Sequence, residues 1–104
     1  MRVSTYVTDA PEQERFEARD GDADGELAGF LTYQLTGNII VFTHLDISPV
    51  YDGRGIGDAL ARAAMDDAVA RRRTVVPMCS FLAEWLHGHP EYKKIVAPGT
   101  KKIK

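Results

Sequence analysis

Three glycines, Gly53, Gly55 and Gly57, stand at alternate positions between a strand-like segment and a helix-like segment. Glycine tolerates positive φ, so such a loop can turn several backbone N–H groups toward one point at the start of a helix. Unpaired N–H groups and the helix dipole both favour an anion such as phosphate. The alternative is a glycine-rich turn without a ligand. We interpret the segment as a phosphate-binding loop.

Two familiar phosphate-binding motifs do not fit this loop. A Walker loop needs Lys and then Ser or Thr after its last glycine, where this chain has Asp58-Ala59. A Rossmann fingerprint needs a glycine at position 58 and a parallel β-α-β unit. The prediction that remains is a pyrophosphate cradle preceded by an antiparallel sheet.

Cys79 is the single cysteine of the chain and lies between a short predicted strand and a predicted helix. The positive end of a helix dipole raises the thiolate fraction of a nearby cysteine, which suits a nucleophile. The alternative is that Cys79 is a small buried hydrophobic residue. A single cysteine also excludes an internal disulfide, and we therefore expect a cytoplasmic protein with a reduced thiol.

His44 and Asp46 are two residues apart on the predicted strand that leads into the glycine loop. Their side chains should share one face, because side chains alternate along a strand. A histidine and a carboxylate beside a cofactor can move protons. An exposed polar face of a half-buried strand is the equally favoured alternative.

The acidic and histidine-containing segments do not predict a metal site. Residues 20–25 open like a calcium-binding EF-hand loop, but Leu31 stands where that loop needs a bidentate Glu. The spacing of Cys79 and the three histidines matches no zinc motif. We expect no metal, and we expect His87 and His89 at a helix end, where imidazole favours exposed carbonyls.

The hydrophobic pattern predicts the elements that would position these residues. The chain should be an α+β protein with a mostly antiparallel sheet packed by two main helices. The first helix has an apolar stripe of Ile56, Ala59, Leu60, Ala63 and Ala64, on which Asp67 is an unexplained misfit. The predicted strands are 2–8, 14–19, 26–35, 39–47 and 74–78, and the helices run from the glycine loop to about 72 and over 80–87.

Composition excludes several classes of protein. The 104 residues form a single expected domain, 1–104, with 101–104 as a flexible tail. A formal net charge of −2 argues against nucleic-acid binding, although residues 71–104 are basic and the first 30 are acidic. The longest aliphatic and aromatic run, residues 39–42, is too short to cross a membrane.

The order of these segments resembles the GNAT acyltransferase superfamily. Its acetyl-CoA loop reads Gln/Arg-x-x-Gly-x-Gly/Ala; Gly55 and Gly57 match it, whereas Asp52 replaces the basic or amide residue. More narrowly, residues from about 15 to 96 resemble small single-domain N-acetyltransferases of the YjdJ type. The matching blocks are His44-Leu45-Asp46-Ile47, Val75-Val76-Pro77-Met78-Cys79 and His89-Pro90-Glu91-Tyr92.

This resemblance implies an acetyl-CoA-dependent N-acyltransferase with a compact GNAT-like fold. The acceptor would be a small-molecule or peptide amine, reached directly or through an acetyl thioester on Cys79. Catalytic residues would be Cys79, His44 and Asp46. Coenzyme A would contact Ile47, Ser48, Gly53, Arg54, Gly55, Ile56, Gly57 and Asp58.

Two other functions stay open at this point. One is an acyl-CoA-binding or partner-binding module without enzymatic activity on the same fold. The other is a nucleotide-binding domain without acyl chemistry. The chain could be a monomer or a homodimer, and the acidic first third gives a weak indication of a cationic acceptor.

Overall fold

The computed structural model describes residues 5–97, which form one five-stranded sheet in the order β1-β2-β3-β4-β5. Neighbouring strands are antiparallel except β4 and β5, which are parallel. The strands are β1 (Thr5–Ala10), β2 (Arg15–Asp20), β3 (Leu27–Thr36), β4 (Ile39–Ile47) and β5 (Thr74–Pro77). The helices are α1 (Ile56–Ala70) and α2 (Ser80–His87), and the short 3-10 helices are Pro11–Gln13, Pro49–Tyr51 and Pro90–Ile95. This α+β architecture confirms the predicted fold class.

Alternation along the strands places the core on one face of the sheet. Phe16 pairs with Leu31, and both are buried together with Phe42 in the same hydrophobic cluster. Helix α1 packs on this face and contributes Leu60 and Met65, neither of which is exposed. The opposite face carries the polar residues of the same strands, so one face of the sheet is covered by helices and the other is not.

The boundaries of several elements differ from the sequence prediction. Among the described residues, the first strand runs from Thr5 to Ala10. A 3-10 helix begins directly after it, at Pro11. Helix α1 ends at Ala70 rather than near 72, because Arg72 adopts a left-handed conformation with φ 57°. The 3-10 helix Pro90–Ile95 was not predicted. Residues 2–4 and the predicted tail 101–104 lie outside the described residues.

The buried stripe of α1 is centred slightly later than predicted. Ala59 and Ala63 of the predicted stripe are only partly buried. Asp67 lies at the side of the buried face, where its carboxylate accepts hydrogen bonds from the Arg71 Nε at 3.0 and 3.1 Å and lies 3.7 Å from Arg73. These ion pairs explain why a charged residue is tolerated beside the apolar stripe of α1. The buried residues of the helix are Ile56, Leu60, Ala61, Ala64, Met65 and Ala68.

Candidate functional site

Strands β4 and β5 separate after a short paired stretch. Their parallel pairing runs only from Ile39 with Thr74 to Phe42 with Pro77. The Phe42 carbonyl then accepts hydrogen bonds from two successive amides, Met78 and Cys79, both at 2.9 Å. Because β5 turns away into α2 at this point, the rest of β4 has no strand beside it on that side. The divergence creates a cleft lined by backbone groups.

Beyond Phe42, the backbone N–H and C=O groups of successive β4 residues face alternately toward β3 and toward the cleft. The Ser48 amide donates to the Ala28 carbonyl at 2.8 Å, on the β3 side. In an antiparallel ladder the neighbouring residues point the other way, so the N–H and C=O groups of Leu45 and Ile47 face the cleft. The Ser48 carbonyl also accepts a hydrogen bond, from Tyr51. Of the predicted pair, Ile47 therefore offers backbone groups to a ligand, whereas Ser48 offers only its hydroxyl.

Tyr51 anchors the loop that follows β4. It is buried in the 3-10 helix Pro49–Tyr51, and its hydroxyl lies 3.0 Å from Asp20 Oδ2 and 3.1 Å from Glu26 Oε1. Burial, followed by these two hydrogen-bonding carboxylates, raises the pKa of Tyr51 to about 12. The hydroxyl consequently stays a donor at neutral pH. The acidic turn between β2 and β3 thus holds the start of the loop in place.

The glycine loop leaves several amides at the start of α1 without an acceptor. Gly53 and Gly55 have φ of 81° and 80°, and Gly55 is the N-cap of α1 without a side-chain cap. The first hydrogen bond of the helix is from Ala59 to the Gly55 carbonyl at 3.0 Å. Within the described residues, no group accepts a hydrogen bond from the amides of Gly53, Gly55, Ile56, Gly57 and Asp58. This is the arrangement that binds a phosphate.

Side chains of the loop leave space for an anion. A Cβ added to Gly53 or Gly55 would meet no atom within 4 Å, so the space over both residues is open. The Arg54 guanidinium lies 5.4 Å from the centre of the Tyr51 ring and is exposed. The loop therefore carries one cation beside its unpaired amides, even though Asp52 stands at its head.

Helix α2 packs against the first turn of α1. Gly57 is the second residue of α1, and a Cβ there would lie 2.8 Å from Phe81 Cζ. A side chain at position 57 would therefore force the Phe81 ring to move. Asp58 Oδ1 accepts a hydrogen bond of 2.8 Å from Trp85 Nε1. This bond directs the Asp58 carboxylate toward α2. The electrostatic repulsion between Asp58 and an anion bound at the loop is thereby reduced.

Cys79 lies where the sequence predicts it, between β5 and α2, as the N-cap of the helix. It is only 4% exposed and belongs to the hydrophobic core cluster. Its amide bonds to Phe42, and its side chain makes no capping hydrogen bond. The position at a helix start agrees with a nucleophile, and the burial agrees with a packing residue.

His44 and Asp46 are exposed and share one face of β4, as predicted. They pair with Thr32 and Phe30, which are also two residues apart on β3. Leu45 between them packs toward the core, so both side chains lie on the face away from α1. The structure therefore brings His44 and Asp46 together, but places Cys79 with the residues on the helix-covered face.

A cluster around Trp85 is the main feature that sequence reasoning missed. The His89 ring stacks on Trp85 at 3.6 Å, and its Nδ1 lies 2.7 Å from the Trp85 carbonyl. The Tyr92 hydroxyl donates to Asp66 at 2.6 Å, and burial and this bond raise the pKa of Tyr92. These contacts fix the 3-10 helix Pro90–Ile95 to α1. The only sequence signal was the His89–Tyr92 block itself.

Two further properties bear on the kind of site. Among residues 5–97, no group of three or more His, Cys, Asp or Glu side chains is arranged to hold a metal ion. In the same range, neither helix has the length and apolar character needed to cross a membrane. The candidate groups described above are backbone amides, an exposed polar strand face and a buried thiol.

The chain is similar to known proteins in sequence and in fold. Residues 15–95 match the GCN5-related N-acetyl-transferase family. The NMR solution structure of a GCN5-like protein from Staphylococcus aureus matches with a TM-score of 0.64 and 22% identity, over 88% of this chain and 86% of that chain. This likeness shows the fold. No curated protein matches the chain. The resemblance found in the sequence is confirmed: the chain belongs to the GCN5-related N-acetyltransferase family.

Proposed function

We propose that this protein uses acetyl-CoA to acetylate an amine. The observation that carries the proposal is the set of unpaired amides at Gly53, Gly55 and the first turn of α1, directly beside the unpaired backbone edge of β4. Acetyl-CoA would supply an activated acetyl thioester together with a pyrophosphate and two amides for recognition. The residues present fit each of these parts.

The loop and β4 supply the contacts that bind the co-substrate. The amides of Gly53 and of residues 55–58 would donate to the pyrophosphate, and the exposed Arg54 adds a positive charge. The backbone groups of Leu45 and Ile47 would pair with the amides of the pantetheine arm, as in strand addition. An N–H group near Ile47 would also stabilise the negative charge that develops on the carbonyl oxygen during transfer.

The exposed face of β4 supplies the groups that can accept a proton from the amine. His44 and Asp46 are exposed two residues apart on one face of β4, and neither forms an ion pair among the described residues. Either side chain can take the proton as the amine attacks. Direct transfer to the amine is favoured over a covalent route because the Cys79 thiol is 4% exposed. The covalent route through Cys79 is the alternative.

Replacement of Cys79 separates the two routes. We expect Cys79→Ala to keep kcat within about threefold of the unmodified protein, since the buried thiol would only pack. Incubation with acetyl-CoA should give no hydroxylamine-labile acetyl adduct by mass spectrometry. A matched Cys79→Ser variant and a thermal unfolding curve control for loss of folding.

Different results would support the alternatives. An acetyl adduct on Cys79, with activity lost in a folded Cys79→Ala variant, would show the covalent route. Acetyl-CoA binding without release of free coenzyme A thiol, over a broad panel of amines, would instead indicate a binding module. A functional His44 or Asp46 would be shown by a lower kcat in His44→Gln or Asp46→Asn.

A further inference from the structure

A cavity of about 830 Å³ lies beside α2, on the side that does not face α1. Leu82 and Trp85 of α2 pack toward the core and α1, whereas Ala83 and Leu86 line the cavity. Its walls are mostly apolar and include Met78, Pro90 and Val96. A volume of this size is typical of sites for small molecules.

The cavity also carries positive charge that no carboxylate neutralises. Lys93 and Lys94 line it, and neither forms an ion pair with any of residues 5–97. No Asp or Glu lines the cavity. The carbonyls of Trp85 and Leu86 at the end of α2 already accept hydrogen bonds from the amides of Gly88 and His89. The two lysines are therefore available to an anionic ligand.

The cavity reaches the place where β4 and β5 separate. Met78, whose amide binds the Phe42 carbonyl at that point, is 66% exposed and forms part of the cavity wall. Lys93 and Lys94 belong to the 3-10 helix Pro90–Ile95, directly before Val96, which forms a parallel bridge with Val75 of β5.

Resting on the proposed acetyl transfer, we propose that this cavity binds the acceptor, an amine with an apolar body and a carboxylate at its far end. The carboxylate pairs with Lys93 and Lys94, the body lies on Met78 and Leu86, and the amine reaches the cleft past Met78. The amine nitrogen attacks the thioester carbonyl carbon; the C–N bond forms and the C–S bond breaks. Coenzyme A leaves as the thiol and receives the proton that the nitrogen loses, by way of the protein or solvent.

This acceptor class differs from the cationic one that the acidic first third indicated. The cavity is lined only by residues of the basic segment 71–104. A plain cationic amine lacks the group that the lysines recognise.

The test compares two amines of the same length in the full chain. ε-Aminocaproate carries a terminal carboxylate, and hexylamine does not. NMR titration without acetyl-CoA should show that aminocaproate, and not hexylamine, shifts the methyl signals of Ala83, Leu86 and Val96. With acetyl-CoA, aminocaproate should be acetylated with a kcat/KM roughly tenfold above that of hexylamine.

Charge removal in the cavity provides the matched variants. Lys93→Gln combined with Lys94→Gln should raise the KM for aminocaproate roughly tenfold and leave the Kd for acetyl-CoA unchanged. Arg72→Gln, which removes an exposed cation outside the cavity, should change neither value.

Equal use of the two amines, or no shift of the cavity signals by aminocaproate at millimolar concentration, would overturn the inference. Failure of acetyl-CoA to bind would instead contradict the proposed function. In that case the NMR titration would still decide whether the cavity binds a carboxylate ligand.

Discussion

Gly55 shows how a single residue supports the proposed site through its backbone. Its φ of 80° would strain most side chains, but a Cβ there would meet no atom within 4 Å. We expect Gly55→Ala to lower the free energy of unfolding by about 1 kcal/mol and to weaken acetyl-CoA binding. Gly55→Asn should cost less, because asparagine tolerates the left-handed region. Chemical denaturation and calorimetric titration measure both effects.

The comparison of the two variants distinguishes strain from crowding. Asparagine is larger than alanine, so a steric explanation predicts that Gly55→Asn is the worse variant. Equal losses in both variants would contradict the role of backbone conformation at this position.

Glu17 is a buried carboxylate whose negative charge stabilises the fold through ion pairs. It lies between Arg15 and Arg19 at 2.7 and 2.9 Å and is 5% exposed. Burial alone would raise the pKa of Glu17, but the hydrogen bonds from both arginines outweigh burial and lower that pKa below 4.5. The stabilisation is therefore complete above the unfolded-state pKa and is lost as the pH falls through the folded-state value.

Glu17→Gln should therefore destabilise the protein in a pH-dependent way. At neutral pH we expect a loss of about 1 kcal/mol, a modest value because both guanidinium groups reach solvent. The difference from the unmodified protein should shrink below about pH 4.5 and disappear once Glu17 is protonated in both states. Urea titrations over a pH series measure it. The exposed Glu84→Gln is the control, and a pH-independent loss would contradict the ion-pair explanation.

At the scale of elements, Gly57 in the first turn of α1 lies against the Phe81 ring of α2. Alanine at position 57 gains helix propensity of about 1 kcal/mol but forces the Phe81 ring, 2.8 Å away, to move. We expect Gly57→Ala to stabilise the protein only when Phe81→Ala is also present. A double-mutant cycle measured by thermal unfolding should give a coupling of about 1 kcal/mol. Additive effects would show that the two residues do not constrain each other.

The order of the elements could be predicted because its signals are local. The short gap between the predicted strands 26–35 and 39–47 indicated the β3–β4 hairpin, and the glycine loop indicated the start of α1. Contacts between distant segments could not be predicted. The hydrogen bonds of Tyr51 to Asp20 and Glu26, and the packing of Phe81 on Gly57, join residues more than 20 positions apart. The cavity is formed jointly by β5, α2 and the segment that follows α2, so no single sequence motif predicts the cavity.

For the molecule as a whole, most of the proposed site comes from one continuous region. Strand β4, the loop, α1, β5 and α2 follow one another, whereas β1–β3 support β4 from the other side. In the proposed function, backbone amides would provide most of the recognition of acetyl-CoA, so a chain of this size would need few catalytic side chains. A ligand bound in this region should stabilise the entire sheet if the domain unfolds as one unit.

Acetyl-CoA at a hundred times its Kd should accordingly raise the free energy of unfolding by about 2.7 kcal/mol. For a domain of this length the gain corresponds to a shift in Tm of roughly 10–20 °C. ATP at equal concentration should give a much smaller shift, because it lacks the pantetheine arm that would pair with Leu45 and Ile47. Hydrogen exchange should show protection at residues 53–58 beyond that in β1. An equal shift with ATP would indicate a nucleotide-binding domain and reject the acyl-CoA proposal.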